Sequence, residues 1–158
     1  MLAQEASLCL FDARTGLSLG SIAGVSGADL TAIVTDPRNH CAVVGASDGS
    51  VTVWELGSNN GAVEGVAADG LMRPCACALE LRQPVAYLIA HPLPGALNKR
   101  RFGVAAATAD GAVHTFEVSA TAPGSGCRRT SAFEAPPSLA MLDFAPRQAL
   151  YAAAGSAG

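Results

Sequence analysis

Three apolar segments that each end in proline recur along the chain, and this internal repeat constrains the fold more than any other feature. The segments are LTAIVTDP at 30–37, VAYLIAHP at 85–92 and LAMLDFAP at 139–146. Proline suits the start of a turn because its φ angle is fixed and because it has no N–H to satisfy. A second apolar run follows each turn, at 40–46, 102–108 and 149–155. Short strands separated by similar turns predict an all-β repeat architecture.

Two of these second runs end in an Asp-Gly turn. Asp48-Gly49 and Asp110-Gly111 each stand between two apolar runs. Asp-Gly in this setting predicts a tight hairpin, because glycine adopts a positive φ at no steric cost. In the third repeat the same place is taken by Ser156-Ala157-Gly158.

A third strand is predicted after each Asp-Gly turn, and it closes with an aromatic-acidic pair. These strands are SVTVWEL at 50–56, with Trp54-Glu55, and AVHTFEV at 112–118, with Phe116-Glu117. The opening SLCLFDARTG matches the same strand, with Phe11-Asp12 in the place of the pair and Thr15-Gly16 in the following turn.

An aromatic-acidic pair, a TG turn, a proline-ended strand and a DG hairpin, in this order, resemble the WD-repeat family. The resemblance implies an all-β fold, a WD-type β-propeller fragment with an incomplete ring of about three four-stranded antiparallel blades. It implies structural roles in packing and turns for the repeat positions, which are Phe11, Asp12, Asp48, Gly49, Trp54, Asp110, Gly111 and Phe116. A β-sandwich also has short strands, but sandwiches do not repeat their turn chemistry.

The repeats divide the chain into parts of blades. The predicted parts are the end of a blade at 7–16, a full blade at 17–56, a full blade at 57–118 and an incomplete blade at 127–158. Insertions are predicted at 57–74, as a mobile loop, and at 92–101. Closed propellers have about four to eight blades. We therefore expect an excerpt of a longer propeller, a truncated gene model or a chain completed by a partner.

The order of the irregularities permits a narrower comparison. Trp54-Glu55-Leu56, the 57–74 connector, the 92–101 expansion and the segment 133–158 together resemble the WD-repeat subunit of the complex that processes the internal transcribed spacer of pre-ribosomal RNA. This resemblance implies a non-catalytic nuclear or nucleolar scaffold for large-subunit ribosome assembly, bound to other proteins in a multisubunit complex. Two alternatives stay open: a cytoskeletal or ciliary structural WD-repeat protein, and a propeller enzyme or small-ligand sensor.

Catalytic, cofactor and metal motifs are not found in the sequence. Cys75 and Cys77 share one face of a strand, but no second pair of cysteines or histidines lies at zinc-ligand spacing. No serine or cysteine stands in a nucleophile elbow, and no phosphate-binding glycine pattern occurs. We expect no catalytic residue, no cofactor, no metal and no small-molecule substrate.

Charge distribution suggests which surface meets a partner. The net charge of −3 supplies no general attraction to nucleic acid or to anionic membranes. The basic run Lys99-Arg100-Arg101 is the candidate interaction loop, and Arg128-Arg129 forms a second cluster. Any RNA contact is expected to be weak or indirect. Without a secretory signal or a long apolar stretch, we expect an intracellular protein with no membrane contact.

Overall fold

The computed structural model describes residues 6–23, 27–57, 72–93, 101–120, 126–136, 139–145 and 149–155. These residues form twelve β-strands. The strands are β1 (Ser7–Phe11), β2 (Ser18–Ala23), β3 (Leu30–Thr35), β4 (Cys41–Ala46), β5 (Ser50–Leu56), β6 (Met72–Glu80), β7 (Val85–Pro92), β8 (Arg101–Thr108), β9 (Ala112–Ser119), β10 (Gly126–Glu134), β11 (Leu139–Ala145) and β12 (Leu150–Gly155). The predicted all-β class is confirmed.

The strands are arranged in four antiparallel sheets in the described part of the chain. The first sheet pairs β1 with β2, and the second has the order β3-β4-β5-β6. The third has the order β7-β8-β9-β10, and the fourth pairs β11 with β12. This series of four-stranded and open sheets is that of an incomplete propeller.

Sequence repeats and sheets are offset by one strand. Residues 17–56 supply β2 to the first sheet and β3, β4 and β5 to the second. Likewise β10, which follows the predicted blade at 57–118, completes the third sheet by pairing with β9. Each repeat thus links two sheets covalently. Strands β3 and β7, the first strands of the second and third sheets, also lie against each other.

Packing between sheets explains why two strands read as continuous apolar runs. Every residue of β4 is buried, and in β8 only Arg101 is exposed. A strand between two neighbouring sheets buries side chains on both faces, so the polar half of an alternating pattern is lost. In β4, Val43 faces the third sheet and Val44 faces the first. Full burial of each valine contributes about 1.5–3 kcal/mol.

Close contact between the second and third sheets depends on a glycine. A Cβ atom on Gly45 of β4 would lie 2.5 Å from Val85 Cγ1 of β7, closer than real side chains approach. The Thr31 hydroxyl donates a hydrogen bond to the Val85 carbonyl and so adds a polar connection at the same place. Because interiors are packed as densely as organic crystals, a methyl group here would force the sheets apart.

Both predicted insertions fall largely outside the described residues. Of the 57–74 connector the structure describes Gly57 and residues 72–74, which belong to β6. Of the 92–101 expansion it describes Pro92, Leu93 and Arg101. Lys99 and Arg100 of the candidate interaction loop therefore lie outside it. No helix among the described residues is long and apolar enough to cross a membrane.

Candidate interaction surface

The two Asp-Gly turns use their carboxylates to hold the hairpins. Asp48 accepts a hydrogen bond from the Ser50 N–H at 2.9 Å, and hydrogen bonds from Ser50 lower the pKa of Asp48. Asp110 accepts from the Thr108 hydroxyl at 2.6 Å, and this bond is the main reason that the pKa of Asp110 is lowered. The glycines that follow have φ angles of +86° and +92°. The carboxylates of Asp48 and Asp110 therefore stabilise the turns by accepting hydrogen bonds within them.

The aromatic repeat positions have different environments. Trp54 and Phe116 are buried, and the Trp54 indole N–H donates to the Thr52 hydroxyl at 3.1 Å. Phe11 is 62% exposed at the end of β1. The carboxylate of Asp12 accepts hydrogen bonds from the N–H groups of Thr15 and Arg14, which lower the pKa of Asp12.

A buried carboxylate that sequence reasoning missed organises the turn between β3 and β4. Asp36 is 3% exposed and accepts hydrogen bonds from the N–H groups of Arg38 at 3.0 Å, His40 at 2.5 Å and Cys41 at 2.6 Å. The turn was predicted from Pro37 alone. Aspartate before proline was the available signal, because its side chain can accept from the N–H groups that follow.

His91 occupies in VAYLIAHP the position that Asp36 holds in LTAIVTDP, and it connects the third sheet to the fourth. Its ring stacks on Phe144 with centroids 3.8 Å apart, and Nε2 lies 2.6 Å from the Tyr151 hydroxyl. Nδ1 lies 3.2 Å from the Pro92 carbonyl. Since a carbonyl only accepts, Nδ1 carries the proton and Nε2 accepts from Tyr151. Burial lowers the pKa of His91, so the neutral ring is the stable form.

The cysteines form no metal site within the part of the chain that the structure describes. The Cys41 thiol is buried on β4, and a hydrogen bond with Cys75, followed by burial, raises its pKa. Cys127 on β10 is disulfide-bonded. The Cys77 side chain lies outside the described residues. Within the described part of the chain, no group of three or more His, Cys, Asp or Glu side chains could hold a metal ion.

Arg101, the described residue of the candidate loop, belongs to an ion-pair cluster on the third sheet. The Glu117 carboxylate on β9 accepts from the Arg101 guanidinium through Oε1 and from Arg128 Nη2 through Oε2, the latter at 2.7 Å. Glu117 is 14% exposed, whereas Arg101 and Arg128 are 46% and 76% exposed. The carboxylate is thus covered by two guanidinium groups that themselves face solvent.

Sequence reasoning named both arginines but did not predict that a carboxylate joins them. Glu117 was singled out only as half of an aromatic-acidic pair. The cluster depends on register, since Glu117 lies opposite Arg128 on β10 and opposite Gly103 on β8. A surface cleft of about 480 Å³ lies beside it, lined by Arg101, Glu117, Ser119, Gly126, Cys127 and Arg128.

Arg129 contacts His114, whereas Arg128 contacts Glu117. Its Nη2 donates to His114 Nδ1 at 2.7 Å, which requires a neutral histidine. Burial and then the charge of Arg129 lower the pKa of His114, while Asp110 and Glu134 act in the opposite direction. Adjacent strand residues point to opposite faces, so β10 carries a guanidinium on each face of the sheet.

No family model and no curated protein sequence matches this chain. Solved structures do match. Sqt1 from Chaetomium thermophilum has a TM-score of 0.65 and 19% identity, over 90% of this chain and 32% of Sqt1. Raptor from the same organism has a TM-score of 0.61 and 16% identity, over 98% of this chain and 12% of Raptor.

The β-propeller domain of Cps50 (Swd1) from Myceliophteria thermophila also matches, with a TM-score of 0.48 and 18% identity, over 82% of this chain and 32% of that domain. This chain therefore spans about a third or less of the length of each of these three solved chains. Sqt1 and Raptor are WD40 β-propeller proteins. The antiparallel four-stranded sheets and these two likenesses show that the chain has the fold of a WD-type β-propeller fragment.

Proposed function

We propose that this chain acts as a non-catalytic scaffold that binds other proteins as part of a multisubunit complex. One observation carries the proposal. The carboxylates of Asp36, Asp48 and Asp110 are used inside turns, whereas Arg101 and Arg128 present charge to solvent around Glu117. The turn carboxylates already accept hydrogen bonds within the chain. Exposed guanidinium groups on a rigid sheet are suited to contact with a partner protein.

The finer proposal is a role in large-subunit ribosome assembly and pre-ribosomal RNA processing, in the nucleus or nucleolus. Its support is the order of irregular repeats, from Trp54-Glu55-Leu56 through the 57–74 connector to the segment 133–158. RNA contact in this proposal is indirect or weak. The chain's net charge of −3 supplies no general attraction to nucleic acid.

Sedimentation of native cell extract tests both levels of the proposal. The protein, detected by antibody on a density gradient, is expected to co-sediment with pre-ribosomal particles and to stay with them after ribonuclease trimming of exposed RNA. Co-sedimentation with microtubule or ciliary fractions would instead support the structural alternative. A protein found only at the position of a free chain would contradict the scaffold itself.

Ligand analysis of the purified protein separates the scaffold from the enzyme or sensor alternative. Native mass spectrometry of the chain is expected to show its polypeptide mass without a retained small molecule. A stoichiometric bound metabolite would contradict the proposal, because a scaffold needs no such ligand.

A further inference from the structure

β10 is the terminal strand of the third sheet, and the whole of its second half faces solvent. Its sheet has the order β7-β8-β9-β10, and each residue from Arg128 to Glu134 is exposed. A terminal strand presents a row of backbone N–H and C=O groups with which another chain can pair. The terminal strand of the second sheet, β6, contains Pro74, which removes one donor from its edge. No proline interrupts β10.

The outward-facing backbone groups of β10 can be assigned. The Ala135 N–H, just beyond the strand, donates to the Gly111 carbonyl, so it points toward β9. Backbone groups alternate in direction along an antiparallel strand. Phe133 therefore also points its N–H and C=O toward β9, while Ala132 and Glu134 point theirs away from the sheet.

Charge at the start of this edge determines which chain can pair with it. Arg101 and Arg128 lie around one carboxylate, Glu117, on one face of the sheet, which leaves one positive charge in excess there, and Arg129 lies on the other face beside His114. RNA offers no N–H and C=O ladder to match the edge. An acidic polypeptide in extended conformation offers carboxylates to the arginines and backbone N–H and C=O groups to the edge of β10.

We propose that the outer edge of β10 binds an extended acidic segment of a partner protein as an additional β-strand. Two adjacent acidic residues of that segment lie opposite Arg128 and Arg129, one on each face of the sheet. The cleft beside Glu117 accepts a neighbouring side chain of the partner. This inference rests on the proposed scaffold function and names the class of partner that this surface recognises.

Binding of a designed peptide to the full 158-residue chain tests the edge. The probe is a fluorescent nine-residue peptide, the length of β10, with two adjacent central glutamates flanked by alternating valine and threonine. The same peptide with lysines in place of the glutamates tests charge. A version with alternate N-methyl groups tests backbone pairing. A single-stranded RNA of matched length tests the nucleic-acid reading. Fluorescence anisotropy at low and high salt measures each affinity.

Variants of the chain identify the surface. We expect Arg128→Glu combined with Arg129→Glu to weaken binding of the acidic peptide by at least about tenfold. The matched control reverses two other exposed arginines, Arg14→Glu and Arg38→Glu, which lie in turns of the first and second sheets. It is expected to leave the affinity within about twofold, since screening limits the effect of distant charges.

A second variant tests the backbone without changing charge. Ala132→Pro removes an outward-facing N–H and leaves the ladder to β9 intact. It is expected to weaken peptide binding while circular dichroism and the Tm stay those of the original chain. Three binding results would overturn the inference, and a co-sedimentation result would be a fourth. The binding results are full affinity in both variants, preference for the lysine peptide or the RNA, and no binding of the acidic peptide at its solubility limit. If the charge-reversed chain still co-sediments with its complex, the edge is wrong and the scaffold function stands.

Discussion

Single buried polar side chains hold the turns and sheet contacts of this chain, and Asp36 is the strongest case. It replaces water for three N–H donors at once, one of them on the buried residue Cys41. A hydrogen bond to a charged acceptor stabilises more than a neutral one, and a donor left buried without a partner is costly. The hydrogen bonds of Asp36 therefore stabilise this turn more than Pro37 does, although the turn was predicted from Pro37.

Asp36→Ala is expected to lower the free energy of unfolding by about 3 kcal/mol, because the donors at Arg38, His40 and Cys41 lose their acceptor. Asp29→Ala is the matched control, since that side chain is exposed. It should cost less than about 0.5 kcal/mol. Urea unfolding followed by circular dichroism measures both. Equal losses in the two variants would show that Asp36 has no special role.

His91 makes stability depend on pH in a defined window. Burial lowers the pKa of His91 below the ordinary 6.5. Just below pH 6.5, His91 is therefore protonated in the unfolded chain and neutral in the folded chain. The contribution of His91 to the free energy of unfolding is fully present above pH 6.5 and is lost as the pH falls below that value. His114, whose pKa is also lowered, acts in the same direction. The carboxylates of Asp12, Asp48 and Asp110 have lowered pKa values and lose their contributions only below their ordinary 3.8.

Urea midpoints at pH 7.5 and pH 5.5 check this expectation, since the two values lie on either side of about pH 6.5. The original chain should be less stable at the lower pH. His91→Gln retains a side-chain amide that can bond to Tyr151 but cannot titrate, so the variant should show a smaller difference between the two midpoints. An unchanged difference would mean that His91 does not couple protonation to folding.

At the scale of elements, the hairpins differ in how strictly they require glycine. Gly49 has a φ of +86°, and a Cβ atom there would lie 1.9 Å from the Leu81 carbonyl oxygen. Gly16 has a φ of +72° but nothing within 4 Å of the same position. The first glycine is required by backbone strain and by contact between turns. The second is required by strain alone.

Alanine at these two glycines separates the two costs. Gly16→Ala should destabilise the chain by about 1–2 kcal/mol, the cost of a left-handed conformation. Gly49→Ala should cost about 3 kcal/mol or more, because the turn must also move away from the backbone at Leu81. Thermal unfolding of both variants measures the difference. If the two Tm values fall equally, the contact at Leu81 does not constrain the hairpin.

Inner strands could be predicted from the sequence, whereas partnerships at the outer strands could not. β4 and β8 are buried on both faces, so their apolar runs and flanking turns identify them. The outer strand β10 is mostly exposed, and its sequence shows no alternation. The contact of Arg128 with Glu117 depends on pairing between strands and on a bulge between Arg129 and Ser131. Such register is set by tertiary packing, which local sequence does not encode.

At the scale of the whole molecule, the two-stranded sheets are the exposed parts of an otherwise well-packed series. Each buries one apolar face, through Leu8 in the first sheet and Leu142 in the fourth. Large apolar side chains on these sheets face solvent instead, at Phe11, Met141 and Leu150. A two-stranded sheet is only marginally stable in water unless other protein covers it.

The 158-residue chain is therefore expected to self-associate as its concentration rises, because each two-stranded sheet gains a cover. Met141→Ser with Leu150→Ser should shift sedimentation velocity profiles toward monomer, by removing two side chains that are each 61% exposed. Ile33→Ser is the matched control, since Ile33 is 59% exposed but belongs to a four-stranded sheet. A monomer at every concentration would contradict the expectation. An equal effect of Ile33→Ser would show that general surface hydrophobicity, rather than the two-stranded sheets, drives the association.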